Sequence, residues 1–106
     1  MQRIKDEGIE VDLNNIDTSN ITDMSGLFQK VEFNGDISNW NVSNVKDMRF
    51  MFYECKKFNS NISDWDVSNV KNMCGMFANC NKFNQDISTW DVSNVTNMSY
   101  MFFWCE

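Results

Sequence analysis

With 106 residues, 42% of them hydrophobic and 14% aromatic, the chain carries enough apolar side chain for one packed domain and too much for a disordered segment. Nine Lys and Arg against fifteen Asp and Glu leave a net charge of -6, which disfavours binding to nucleic acid phosphates and to acidic membrane surfaces. His and Pro are absent, so the commonest general base and metal ligand near neutral pH is missing, whereas Asn occurs 16 times and suits a fold with many similar tight turns.

Residues 1–8 alternate charges, fit no repeat and read as a polar lead-in or partial cap. They have no apolar core of the kind a secretory leader carries, and no run approaches the roughly 18 apolar residues of a spanning helix. The chain as written is therefore expected to be cytoplasmic and not inserted in a membrane. A missing leader or parent protein would place it at the cell surface or outside the cell.

From residue 9 the chain repeats itself. Trp40, Trp65 and Trp90 set a period of 25 residues, and the stretch 65–77 recurs almost unchanged at 40–52 and 90–102. A self-similarity of that length marks stacked supersecondary units. The units are 9–32, 33–57, 58–82 and 83–106, the first being one residue short near Val31-Glu32.

Within a unit, Ile62, Trp65 and Val67 followed by Val70 and Met73 have the apolar spacing of a leucine-rich repeat. This predicts a short parallel strand around 64–68, with Trp65 and Val67 pointing inward and Asp64, Asp66 and Ser68 outward. Stacked units then align Asn15, Asn39, Asp64 and Thr89 in one outward row and Asp17, Asn41, Asp66 and Asp91 in another. Val45, Met48, Met51, Phe52 and Cys55 have the spacing of one helical stripe, with Asn44 as N-cap and Asp47 three residues on. Phe33, Phe58 and Phe83 should stack as a second aromatic row. The expected fold is an α/β repeat solenoid, leucine-rich-repeat-like, of about four coils, each a short strand plus a short helix.

The unit 76–98, M-F-x-x-C-x-x-F-N-x-D-I-S-x-W-D-V-S-N-V-x-x-M, resembles the bacterial surface protein repeat of about 25 residues. That repeat occurs in mycoplasma-type lipoproteins and in BspA-like leucine-rich-repeat surface proteins. The resemblance implies a surface or secreted solenoid, with adhesion or host-protein binding proposed for some relatives. It implies no catalytic residue.

Cys55, Cys80 and Cys105 share one repeat position and read as buried thiols, while Cys74 is the exposed one. No close-spaced Cys pair offers a zinc site, and the Asp64-Asp66-Ser68 run lacks the Gly and Glu of a calcium loop, so no metal or cofactor is expected. The sequence thus points to a non-enzymatic repeat scaffold for protein-protein interaction or adhesion. A purely structural segment of a longer surface protein is the alternative. Candidate binding residues are Asn39, Asn41, Asp64, Asp66, Thr89 and Asp91 on the outward rows, and Tyr100, Phe103 and Trp104 at the C-terminal end. These last aromatics either fold over the final unit as a cap or dock on a second chain as a homodimer.

Overall fold

A five-residue corner is the local building block. In 36–40, Asp36 Oδ1 accepts the Ser38 N–H at 2.9 Å and the Ser38 hydroxyl at 2.7 Å. The Trp40 N–H then donates to the Ile37 carbonyl at 3.1 Å. An Asx turn therefore runs into an overlapping β-turn, and the two apolar residues, Ile37 and Trp40, are both buried. The same corner follows at 41–45, held by Asn41, and at 47–51, held by Asp47. Each of the four units has these three corners, at Asp12, Asp17 and Asp23 in the first, Asn61, Asp66 and Asn72 in the third, and Asp86, Asp91 and Asn97 in the fourth.

The computed structural model describes residues 11–103; the lead-in 1–8 and Trp104, Cys105 and Glu106 lie outside the described residues. Among the described residues there is no helix and no extended strand, only the isolated parallel bridges Asp12 to Asp36, Asp23 to Asp47, Asp47 to Asn72 and Asn72 to Asn97. The expected α/β leucine-rich-repeat solenoid is thereby overturned. The predicted strand 64–68 is instead the junction of two corners. The predicted helix at 45–55 is a run of turns, closed by Met51 N–H to Met48 O, Tyr53 N–H to Phe50 O and Cys55 N–H to Phe52 O.

Two local effects defeat the helix. Asp47 does not complete a capping box with Asn44; its Oδ1 takes the Arg49 N–H, the side-chain-to-backbone bond that competes with helix. Phe50 and Glu54 then lie at φ 55° and 54°, and their counterparts Gly26, Gly75, Tyr100, Lys30 and Asn79 are also in the left-handed region. A residue with positive φ at the third place of a turn gives type II geometry and ends any right-handed helix.

Stacking uses the groups that the turns leave over. The N–H groups of Met48, Phe50, Phe52 and Glu54 donate to the carbonyls of Asn72, Cys74, Met76 and Ala78 in the next unit, each at 2.9 Å. Met24, Gly26, Phe28 and Lys30 do the same to the second unit, and Met73, Gly75, Phe77 and Asn79 to the fourth. Over 48–54 and its counterparts these bonds all run N–H to carbonyl toward the following unit, while just before them Lys46, Lys71 and Thr96 donate back to Thr22 O, Lys46 O and Lys71 O at 2.8 Å.

Inside, three aromatic columns run through the units. Trp40, Trp65 and Trp90 stack at 6.4 Å, Phe28, Phe52, Phe77 and Phe102 at 5.5–5.6 Å, and Phe33, Phe58 and Phe83 at 6.2 and 5.8 Å. Each fully buried Phe contributes about 1.5–3 kcal/mol of burial free energy, before the entropy of ordering it. Each Trp also donates its indole N–H to the unit behind it: Trp40 to Leu13 O, Trp65 to Ile37 O and Trp90 to Ile62 O, at 2.9–3.1 Å.

Replacing Trp65 by Phe keeps an aromatic ring in the column and leaves the buried Ile37 carbonyl without its indole donor. The variant is expected to lose about 1–3 kcal/mol in a urea denaturation, from the lost bond and the smaller ring. A midpoint equal to that of the parent would mean that the indole bonds do not hold the units together.

Candidate functional site

The outward side of the first two corners carries the residues picked out as binding candidates, and it divides them by chemistry. Asn41, Asp66 and Asp91 are exposed, and each has its Oδ1 engaged in its own corner. Asn41 Oδ1 accepts from Ser43 N–H and hydroxyl at 3.0 and 2.6 Å, Asp66 Oδ1 from Ser68 in the same way, and Asp91 Oδ1 from Ser93 N–H. Asn39 and Asp64 are exposed with no side-chain hydrogen bond among the described residues. Thr89, next in that row, is exposed and donates its hydroxyl to Ser63 O at 3.2 Å.

Hydrogen bonds to Ser68 hold the Asp66 carboxyl below the usual carboxylate range, against a smaller opposing push from Asp91 in the neighbouring unit. Asp17, Asp36, Asp86 and Asp91 are lowered by the same Ser contacts. Asp66 and Asp91 are thus near enough to feel each other, and each is kept ionised by its own corner. Among the described residues no three His, Cys, Asp or Glu side chains converge as a metal ion would require. At the first unit a depression of about 480 Å³ is lined by Asp12, Asn14 and Asn15, the start of the Asn39 row.

The buried thiols are structural. Cys55 donates to Val31 O at 3.0 Å and Cys80 to Cys55 O at 3.2 Å, and burial pushes the Cys55 thiol up to about 11. Cys74 is a free thiol but only partly exposed, which corrects the expectation of an exposed one. Tyr100 and Phe103 are brought together edge to face at 5.6 Å, both well exposed; Trp104, the third C-terminal candidate, lies outside the described residues.

The family model of DUF285, described as a Mycoplasma protein of unknown function, matches residues 2–106. The chain belongs to the DUF285 family. No curated protein and no solved structure matches it.

In this DUF285 chain two further polar rows cross the joints, and the first begins with Asn44, expected as a helix N-cap, whose amide serves the unit behind it instead. Asn44, Asn69 and Asn94 each reach back one unit, to Ser19 O, Ser43 O and Ser68 O at 2.7 Å. Asn34 and Asn59 receive the N–H of Asn59 and Asn84 at 2.7 and 2.8 Å. The signal was the Asn recurring after Phe and after Ser at the 25-residue period. No helix among the described residues is long and apolar enough to cross a membrane.

Two predictions follow from these side chains. Carboxyls lowered on folding leave the folded state binding fewer protons than the unfolded one, so their stabilisation is present above about pH 4 and fades as the pH falls below it. Changing Asp36, Asp66, Asp86 and Asp91 together to Asn keeps the corner acceptor, as Asn41 and Asn61 already do. The variant should therefore show a shallower loss of urea midpoint between about pH 5 and pH 3 than the parent. Equal slopes would remove the corner carboxylates as the source. In native chain treated with iodoacetamide near about pH 8, peptide mapping should find Cys74 alkylated well before Cys55 and Cys80. Equal rates at the three would contradict the buried, hydrogen-bonded thiols.

Proposed function

We propose that this chain is a non-enzymatic scaffold for protein-protein interaction or adhesion, related to bacterial surface repeat proteins and working at the cell surface or outside the cell. The observation that carries the reading is the row at 39, 64 and 89. There the units differ, as Asn, Asp and Thr, while the inward positions beside them stay Ile, Trp and Val. The Asn39 and Asp64 side chains are exposed and unspent, whereas the neighbouring row of Asn41, Asp66 and Asp91 is committed to holding corners. A rigid support carrying free polar groups at a fixed repeat suits recognition by many small contacts.

The second reading is a structural segment of a longer surface protein with no ligand of its own. Affinity capture separates the two. Immobilised chain is expected to retain a protein from host-cell surface extracts, and Asn39→Ala/Asp64→Ala/Thr89→Ala is expected to lose at least about nine-tenths of it, as for loss of a central contact patch. Capture unaffected by the triple change would move recognition off this row. Parent chain retaining nothing above blank resin would favour the structural reading.

A further inference from the structure

The third corner and the turns after it carry paired aromatic rings on the outside of alternate units. Phe50 meets Tyr53 edge to face at 5.7 Å and 74°, and Tyr100 meets Phe103 in the same way at 5.6 Å and 76°. The first and third units have Gly26 with Gln29 and Gly75 with Ala78 at these places. Phe50 is still 38% exposed although the third unit is stacked against it, with the Phe50 N–H on Cys74 O at 2.9 Å. A ring pair of this kind therefore stays on the surface when a further unit follows it.

Local structure favours glycine where these rings stand. Phe50 and Tyr100 have φ 55° and 59°, in the left-handed region that Gly26 and Gly75 occupy in the other two units. An L side chain there costs energy that glycine avoids, so Phe and Tyr are kept against the backbone preference. The Phe50 ring is also held in place: a Cβ on Gly75 would lie 2.5 Å from its Cε1, so the bare glycine supports the ring from the next unit. Charge beside it is balanced, since Arg49 pairs with Asp47 at 3.2 Å. The surroundings therefore suit an uncharged ligand, and the net charge of -6 opposes an acidic one.

We propose that this aromatic face binds a neutral, extended β-1,4-linked glycan, with one sugar stacked at Phe50 and Tyr53 and the next but one at Tyr100 and Phe103. The C–H face of a pyranose packs on the electron-rich face of an aromatic ring, and its rim of hydroxyls exchanges hydrogen bonds with polar side chains, here Arg49, Glu54 and Ser99 beside the rings in the chain. The spacing also fits. Parallel bridges join Asp47 to Asn72 and Asn72 to Asn97, and such bonding sets neighbouring units about 4.8 Å apart, so like positions two units apart recur at about 10 Å. In an extended β-1,4-linked glycan each sugar is turned over relative to the last, and alternate sugars present the same face at about that interval. An α-1,4-linked glucan coils and does not. The row at 39, 64 and 89 belongs to the first corner, so protein recognition there and glycan binding here can fail independently.

The full chain is titrated calorimetrically with cellohexaose and chitohexaose, with the corresponding disaccharides, which reach only one ring pair, and with maltohexaose, the α-1,4 counterpart. A β-1,4 hexaose is expected to bind at least about tenfold more tightly than its disaccharide and than maltohexaose, as engagement of two linked sites would give. Its NMR amide shifts should centre on 49–54 and 99–103. Phe50→Gly and Tyr100→Gly, which install the residue of the first and third units, should each lower hexaose affinity at least about tenfold with the urea midpoint retained. No heat and no shift at millimolar β-1,4 hexaose, equal binding of maltohexaose, or unchanged affinity in both glycine variants would overturn the proposal. So would amide shifts centred on 39, 64 and 89, which would move the glycan to the other row.

Discussion

An oxygen of Asp or Asn that takes the backbone N–H two residues ahead is the interaction on which this molecule depends. It turns the chain sharply, sends the intervening residue inward and leaves the next residues set for an ordinary β-turn. Because the acceptor comes from a short side chain beside the turn, the corner needs no distant partner to be defined. At most corners a Ser two residues on reinforces it with its hydroxyl, as in Asp36 with Ser38 and Asp66 with Ser68. Three such corners bend one unit, and the apolar residues on their inner sides supply the core.

Local turns alone would leave half of the backbone groups of a segment such as 48–54 unsatisfied. Met51 and Tyr53 close turns with their N–H groups, while Phe50 and Phe52 direct theirs to the neighbouring unit. The alternation satisfies both sets of groups, and Lys46, Lys71 and Thr96 return an N–H to the unit behind. Indole, amide and thiol donors then cross the same joints from Trp65, Asn69 and Cys80. No buried side-chain nitrogen or oxygen among the described residues is left without a partner. Close order in the core follows from this registration, since Phe52 and Phe77 lie within 2° of parallel.

The inward and outward sides of each unit were legible from spacing alone: Trp65, Val67, Val70, Met73 and Phe77 are buried, and Asp64 and Asp66 are exposed. The aromatic rows were legible too, because a 25-residue period admits few arrangements other than stacking. The helix and strand were misread because overlapping turns also put apolar groups three residues apart. Val45, Met48 and Met51, then Phe52, Cys55 and Phe58, keep steps of three, whereas a helix mixes threes and fours. The decisive pattern was the triplet Asp or Asn, apolar, Ser, whose polar ends look like surface until their bonds are seen. For the same reason Asp66 and Asp91 looked wholly available for ligands when one oxygen of each was already engaged.

The alternation of Gly26, Phe50, Gly75 and Tyr100 gives the stack a parity. The Phe50 ring lies over Gly75, so these two neighbouring units differ at this position even though their cores are nearly identical. Loss of 58–82 alone would bring Phe50 against Tyr100. Loss of 33–82 together would leave Gly26 beside Tyr100, the pairing Gly75 already makes. Removing two units together keeps ring and glycine in alternation, whereas removing one sets ring against ring, and one of the two must then turn away.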